Sequence, residues 1–162
     1  MTTSNSGAPA PVPEFDVVVL GRSFASRRSA TRLHDELRLA VHEAATVDSA
    51  HYDDIDHRWE IRVGRRIASR AKYVVDGDGS VPLHGRDGAL LASDSGVVQG
   101  FPNLFRTAGG KGSDPIDYPV KCIGYMRTYG HDYVERRPQT LVADDDFPEL
   151  SFDRPAPQVW VC

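Results

Sequence analysis

A turn that could bind phosphate lies near the start of the chain, in the run Gly21-Arg22-Ser23-Phe24-Ala25-Ser26. Dinucleotide-binding proteins use three glycines here, spaced G-x-G-x-x-G, so that the backbone turns tightly, approaches a pyrophosphate and packs the following helix on the strand. The phosphates then meet free N–H groups at the helix N-terminus. Gly21 keeps the first position, whereas Ser23 and Ser26 take the other two. If Ser23 needs a left-handed backbone, its side chain costs about 1–2 kcal/mol, on the order of a tenfold loss of affinity.

An acidic residue follows at the distance that the same motif requires. The motif places a carboxylate about 20 residues further on, at the end of the second strand, where it binds a ribose hydroxyl. Glu43 stands at about that distance, and we predict that it binds ribose while Gly21, Ser23 and Ser26 border the pyrophosphate. The alternative is an ordinary strand–helix–strand unit with an empty turn, in which Glu43 is a solvated carboxylate.

The same turn also fits a second chemistry, because Gly21-Arg22-Ser23-Phe24-Ala25 has the Gly-x-Ser-x-small pattern of a nucleophile elbow. Ser23 would then be the nucleophile of a serine hydrolase, with Asp117 and His131 downstream in the hydrolase order. Few residues precede the strand before Ser23, which leaves no room for the earlier strands and the oxyanion loop of such enzymes. This shortage of preceding chain counts against the hydrolase.

Hydrophobic periodicity predicts the elements that would carry the turn. Residues 16–20 are a β-branched run with almost no polar interruption, typical of a strand buried on both faces of a parallel sheet. Apolar residues then recur every three or four positions over residues 24–38, which indicates a helix. Residues 39–42 predict a second strand. The expected fold class is α/β, with a partial Rossmann-like βαβ unit.

The middle of the chain changes to an antiparallel pattern. Apolar and charged residues alternate through Arg58–Val63, so that Trp59 faces a core while the flanking arginines face water. A further short strand over residues 73–75 completes an inserted antiparallel β-hairpin. The remaining elements are expected as loop over residues 77–100, a short strand over 103–107 and a helix over 120–134.

Composition divides the chain into three parts. Residues 1–13 are rich in small residues and proline and predict a disordered segment. Residues 14–137 hold all the predicted elements and form one α/β domain. Residues 138–162 are an acidic, proline-containing tail that we expect to be mobile.

Overall composition argues against several classes of protein. The 162 residues carry a net charge of −4, with 40% hydrophobic residues, which is typical of a globular domain and not of a nucleic-acid binder. No apolar run approaches the ~20 residues that span a bilayer, and the N-terminus lacks the apolar segment of a secretory signal. The six histidines show no metal-ligand spacing. We therefore expect a cytoplasmic protein with no metal, no nucleic-acid partner and no membrane partner.

Five stretches carry a resemblance to a known family. Residues 15–43 are similar to its N-terminal FAD-binding βαβ, residues 43–47 to its continuation after a ribose-binding glutamate, and residues 57–75 to its antiparallel hairpin. Gly100-Phe101-Pro102-Asn103-Leu104-Phe105 resembles the segment that returns to the flavin, and Asp117-Tyr118-Pro119 stands where the family often has Asn-x-Pro. Together they resemble flavin-dependent monooxygenases of the Baeyer–Villiger type.

The resemblance implies an FAD-binding-like domain over residues 14–137, truncated and internally deleted, in which Asp117 and Pro119 lie near the flavin ring. The family's second, NADP-binding Gly-rich turn, its Phe-x-Gly-x-x-x-His segment and its active-site arginine have no recognisable counterpart here. The implied function is a flavoprotein with weak FAD binding and reduced catalysis. If active, it would oxygenate a ketone or similar small apolar substrate, with NADPH supplied through a partner chain. The alternative is a non-catalytic interaction protein or decayed remnant, whose exposed sheet edges would favour self-association.

Overall fold

The computed structural model describes residues 11–44, 46–77, 79–86, 88, 90, 100–106, 117–136 and 150–153. The fold is α/β with a mixed sheet and two helices, so the predicted fold class is confirmed at that level. In chain order the elements are β1 (Glu14–Leu20), α1 (Phe24–Leu37), β2 (Val41–Ala44), β3 (Ser49–Asp53), β4 (Arg58–Val63), β5 (Arg66–Asp76), β6 (Leu83–His84), β7 (Leu104–Arg106), α2 (Asp117–Tyr129), β8 (Tyr133–Arg136) and β9 (Leu150–Asp153).

The main sheet combines parallel and antiparallel pairing. Its strand order is β2-β1-β5-β4-β3-β6, and β7 also pairs with β5. β1 runs parallel to both β2 and β5, and α1 connects β1 to β2, so the first three elements form a strand–helix–strand unit with parallel strands. β3, β4 and β5 pair in antiparallel succession and form a meander that contains the predicted hairpin. β8 and β9 form a separate two-stranded sheet.

The side chains of β1 alternate between two hydrophobic cores, which explains why the strand is almost entirely apolar. Val17 and Val19 pack against the two helices in the first core. Val18 and Leu20 pack under the meander in the second core, where Trp59 is fully buried. The predictions of a strand buried on both faces and of an inward-facing Trp59 are therefore confirmed.

β5 joins the two parts of the sheet because it changes partner partway along its length. It pairs antiparallel with β4 as far as Ala71, and from Val74 onward it pairs parallel with β7 on the same side. Trp59 on β4 fixes the chain that leads into β7, since its indole Nε1 donates to the Pro102 carbonyl at 2.7 Å in a buried hydrogen bond.

Asn103 fills the junction between the two partners of β5. Its buried side-chain Nδ2 donates to the carbonyls of Lys72 and Asp132, at 3.2 and 3.1 Å, and its Oδ1 accepts from the Val134 N–H at 2.8 Å. The backbone of Asn103 has φ 57, a left-handed conformation that asparagine tolerates better than most residues. One amide side chain thus satisfies three backbone groups, those of Lys72 in β5 and of Asp132 and Val134 around the start of β8.

The second strand begins later than predicted. Arg38 adopts a left-handed conformation with φ 56 and ends α1, so that β2 covers Val41–Ala44 instead of residues 39–42. Leu39 is buried in the first core between helix and strand. The sequence did not predict this turn, because apolar residues flank it and Arg38 stands where a glycine usually marks the end of a helix.

The second helix is also displaced from its predicted position over residues 120–134. α2 begins at Asp117 and ends at Tyr129, and the chain then enters β8. Gly130 has φ 71 and follows the last helical residue directly. The helix predicted over residues 120–134 contained this glycine, whereas the glycine ends the helix.

Two further predictions concern the strand over residues 73–75 and the loop over residues 77–100. The short strand predicted over residues 73–75 is the final part of β5, which extends back to Arg66. The predicted loop over residues 77–100 contains β6, and residues 91–99 lie outside the described residues.

The terminal segments are only partly described. Residues 1–10, 137–149 and 154–162 lie outside the described residues, whereas residues 150–153 of the predicted tail form β9. Pro13 accepts a backbone hydrogen bond from Arg70, so ordered pairing begins just before β1. In the described ranges, neither helix has the length and apolar character needed to cross a membrane.

Replacing Asn103 with alanine is expected to lower the free energy of unfolding by about 3 kcal/mol, because two carbonyls and one N–H lose their buried partner. Equilibrium denaturation in guanidinium measures the change. Asn103→Gly is the matched control, because glycine adopts this φ without strain but makes none of the three hydrogen bonds. A loss below about 0.5 kcal/mol in both variants would show that the amide does not hold the junction.

Candidate functional site

The turn after β1 opens at the carboxyl edge of the parallel strands. The strand registers align Ala44, Leu20, Asp76 and Arg106 as a row across β2, β1, β5 and β7, and we call this row and the loops that follow it the carboxyl edge. From β1 the chain enters α1 on the face of the first core, whereas from β5 it passes to β6 on the face of the second core. Diverging connections of this kind leave a crevice where ligands bind in open α/β sheets.

Gly21 and Ser23 start α1 at this edge. Gly21 has φ 97, the conformation for which the tight turn needs glycine. Ser23 is the N-cap of α1, with an extended backbone at φ −64, and its Oγ accepts from the Ser26 N–H at 3.1 Å. The left-handed strain considered for Ser23 therefore does not arise. Its hydroxyl instead satisfies one of the N–H donors that a bound phosphate would use.

Ser26 packs the helix directly on the exit of β5. Its buried hydroxyl donates to the Leu20 carbonyl at 3.1 Å and lies 2.9 Å from the Ser23 Oγ. A Cβ built on Gly77 would lie 1.5 Å from the Ser26 Oγ, so only glycine fits opposite this serine. The Ser23 hydroxyl also lies 3.3 Å from the Gly77 carbonyl. The close approach that the motif assigns to its third glycine is made here by Gly77.

Sequence reasoning missed Gly77 because its partner on α1 is distant along the chain. The available signal was the run Asp76-Gly77-Asp78-Gly79 directly after a buried strand, and that run by itself predicts only a turn. The structure shows that the first glycine of this run is required by packing.

A buried ion pair at the same edge was also missed. Arg106 Nε lies 3.3 Å from Asp76 Oδ2, and the side chains are 11% and 0% exposed. Asp76 Oδ1 accepts from the Gly79 N–H at 3.0 Å, which fixes the loop after β5. The pair therefore joins the ends of β5 and β7 by an electrostatic contact.

Glu43 lies at the carboxyl edge, in register with Val19 and one residue before the end of β2. Its side chain is exposed and, among the described residues, forms neither a hydrogen bond nor an ion pair. This position is the one that the dinucleotide motif requires of its acidic residue. Ribose binding by Glu43 stays a prediction.

Asp117 and Pro119 are located away from the turn after β1. The Asp117 carboxylate lies 2.8 Å from Lys121 Nζ and 2.7 Å from Arg32 Nη1, and hydrogen bonds to these two cations hold the pKa of Asp117 below its usual value. Arg32 lies about 13 Å along α1 from Ser23, by the rise of an α-helix. Pro119 is buried at the start of α2. Their predicted place near a flavin ring stays a prediction.

The structure does not bring together the three side chains of the hydrolase alternative. Ser23 Oγ contacts Ser26 and Gly77, and Asp117 contacts the two cations described above. The His131 ring stacks on Tyr125 beyond the C-terminal end of α2, with ring centroids 5.7 Å apart. Ser23 therefore has no imidazole base within hydrogen-bond reach in this arrangement.

Comparisons with models of protein families, with curated proteins and with solved structures find no match for this chain. The flavoprotein resemblance therefore depends only on the stretches quoted for it. Within the described ranges, no three histidine, cysteine or acidic side chains come together as a metal site.

Replacing Gly77 with alanine is expected to lower the free energy of unfolding by about 2–3 kcal/mol, because the added methyl group overlaps Ser26 at a packed contact. In a Ser26→Gly background the same substitution should cost only about 1 kcal/mol, and the difference measures the contact as a double-mutant cycle. Denaturant unfolding of the four proteins provides the values. Equal penalties in the two backgrounds would contradict the proposed packing of α1 on the β5 loop.

Proposed function

We propose that this chain binds an adenine dinucleotide at the carboxyl edge and that the dinucleotide is FAD. The observation that carries the proposal is Gly21, which at φ 97 starts α1 directly at the end of β1, between its parallel neighbours β2 and β5. The helix N-terminus lies at the edge where the connections diverge, and its partial positive charge favours a phosphate. The choice of FAD among dinucleotides comes from the family resemblance of the sequence.

The residues of the turn fit a diphosphate after one side-chain rotation. Ser23 caps the Ser26 N–H, and a change of its χ1 angle frees that N–H while leaving the serine hydroxyl available as a second donor. Because an N-cap contributes about 1 kcal/mol, replacing it lowers the affinity for the diphosphate by about fivefold compared with an uncapped turn. We therefore propose weak binding and not loss of binding.

Bound FAD would supply oxidation–reduction chemistry, and the residues of this chain would bind and orient it. We propose that the turn borders the pyrophosphate and that the Glu43 carboxylate accepts a hydrogen bond from a ribose hydroxyl. Asp117 and Pro119 stay proposed neighbours of the flavin ring. Oxygenation of a ketone or similar small apolar substrate is proposed only with NADPH delivered through a partner chain, because the second Gly-rich turn has no counterpart in the sequence.

Replacing Glu43 with alanine is expected to weaken FAD binding by about tenfold, the effect of losing one hydrogen bond to a charged group. Quenching of flavin fluorescence on titration with the protein measures the dissociation constant. Glu14→Ala is the matched control, since Glu14 is exposed at the opposite end of β1. Equal affinity of the Glu43 variant and the unchanged protein would remove Glu43 from the site.

The second candidate function is a non-catalytic protein that keeps this fold without a cofactor. The specific observation that favours it is the mutual hydrogen bonding of Ser23, Ser26 and Gly77, which closes the turn on itself. In this candidate the serines replace the phosphate as partners of the helix N-terminus and stabilise the empty protein.

Two replacements of Ser23 distinguish the two candidates. If the turn binds a dinucleotide, Ser23→Ala should lower the stability of the empty protein by about 1 kcal/mol and raise FAD affinity by up to about fivefold, whereas Ser23→Gly, which costs only a few tenths of a kcal/mol, should raise it less than twofold. Both variants remove the hydroxyl, and Ser23→Ala keeps the Cβ. Absence of FAD binding at millimolar concentration in both the unchanged protein and Ser23→Ala would contradict the dinucleotide proposal and leave the cofactor-free candidate.

A further inference from the structure

The segment Gly79–Arg86, which we call the strap, lies beside β3 at the end of the meander, and its His84 forms an isolated antiparallel bridge with Leu90. Its strand β6 pairs with β3 through only two residue pairs, and the Ala50 N–H donates to the Pro82 carbonyl at 3.0 Å just before them. Leu83 is buried in the second core and anchors the strap from below. The strap is therefore held by one short strand pairing, by the buried Leu83 side chain and by Arg86, whose Nε lies 3.2 Å from Asp54 Oδ1 and whose guanidinium lies over the Tyr133 ring.

The strap also closes the second core at its far end. The Arg86 N–H donates to the Gly100 carbonyl at 2.8 Å, and Gly85 packs so closely on Gly100 and Phe101 that a Cβ there would overlap both. Phe101 in turn stacks on Trp59, with ring centroids 6.5 Å apart. Release of the strap would open the second core to water.

Two histidines join the strap to β3 on the outer face of the sheet. His51 of β3 and His84 of β6 are directly in register, and their rings stack with centroids 4.2 Å apart and planes 3° from parallel. His84 Nδ1 lies 3.3 Å from the Gly88 carbonyl and His51 Nε2 lies 3.1 Å from the Ser49 hydroxyl. A carbonyl only accepts, so His84 carries its proton on Nδ1 in this contact.

Two charged groups of β4 act on the protonation of His51 in opposite directions. Arg62 lowers the pKa of His51, whereas Glu60, which is paired with His51 across the strands, raises it. Glu60 is already shared by Arg62 and by Arg70 of β5, at 3.1 and 3.4 Å. Burial, then Arg62 and His84, lower the pKa of His51 below its ordinary value.

We propose that the His51–His84 stack is an acid-sensitive latch, whose protonation separates β6 from β3 and releases the strap from the second core. Two imidazolium rings at this distance repel each other, and the two residue pairs of β6 provide few backbone hydrogen bonds to resist that repulsion. The proposal does not depend on whether a dinucleotide binds at the carboxyl edge.

The direction of the pH dependence follows from linkage. His51 has a lowered pKa while the strap is closed, and its pKa rises toward the ordinary histidine value of about 6.5 once release of the strap removes His84 and part of the burial. The released form therefore binds protons more readily, and the closed form loses stability as the pH falls below about 6.5. Above that pH both forms are neutral at this position and the latch is closed.

Hydrogen–deuterium exchange of the full chain at pH 7.5 and 5.5, read by mass spectrometry and corrected for the intrinsic rate, tests the latch. We expect the protection factor of residues 83–86 to fall severalfold at pH 5.5, because the released form binds protons more readily than the closed form. Protection of residues 17–20 in β1 should not change. Equal protection of the strap at both pH values, or an equal loss in β1, would overturn the proposal.

Neutral replacements of the two histidines provide a second test of the latch. In His51→Gln the pH dependence of strap protection should disappear and in His84→Gln it should decrease, whereas His34→Gln, on an exposed position of α1, should keep it. If both stack variants retain the full pH-dependent change, the proposal is overturned. Should a variant fail to fold, the comparison of strap and β1 in the unchanged protein decides by itself.

Discussion

The fold depends on the ability of β5 to serve two kinds of neighbour. One side of this strand pairs with β1, and the other side pairs first with the antiparallel β4 and then with the parallel β7. Such a change of partner leaves backbone groups at the join, and a buried amide in a left-handed conformation satisfies them. Asn103 therefore stabilises the point at which the helical layer and the meander share one central strand.

The same requirement for close contact shapes the carboxyl edge. α1 approaches β5 so closely that the helix contributes a serine hydroxyl and the loop contributes a glycine without a side chain. The hydroxyl of Ser23 then completes a short network between the turn and the loop after β5. The helix N-terminal N–H group that contacts phosphate in dinucleotide-binding proteins is therefore bonded here to the Ser23 hydroxyl.

Local sequence patterns predicted the elements that are determined by local burial. The apolar run of β1 and the alternation around Trp59 identified strands because burial on two faces, or on one, leaves a distinct periodicity. The end of α1 was predicted to within one residue, but the start of β2 was misplaced because Arg38 adopts a conformation usually reserved for glycine. β6 was not predicted because a strand of two residues has no detectable hydrophobic periodicity and is stabilised by pairing with a distant segment. At the carboxyl edge, spacing predicted the tight turn at Gly21, but the contacts of Gly77 and Arg106 could not be predicted, since contacts between distant segments leave no local signal.

The central pairing of β1 with β5 has a consequence for how the chain reaches its native state. Val17 and Tyr73 are paired although more than fifty residues separate them, whereas β3, β4 and β5 follow one another directly. Closing a long loop carries a larger entropic cost than forming neighbouring hairpins, which assemble within microseconds. We therefore expect the meander to form early and the N-terminal unit to dock onto its finished edge, so that the overall rate is governed by the search of β1 for β5.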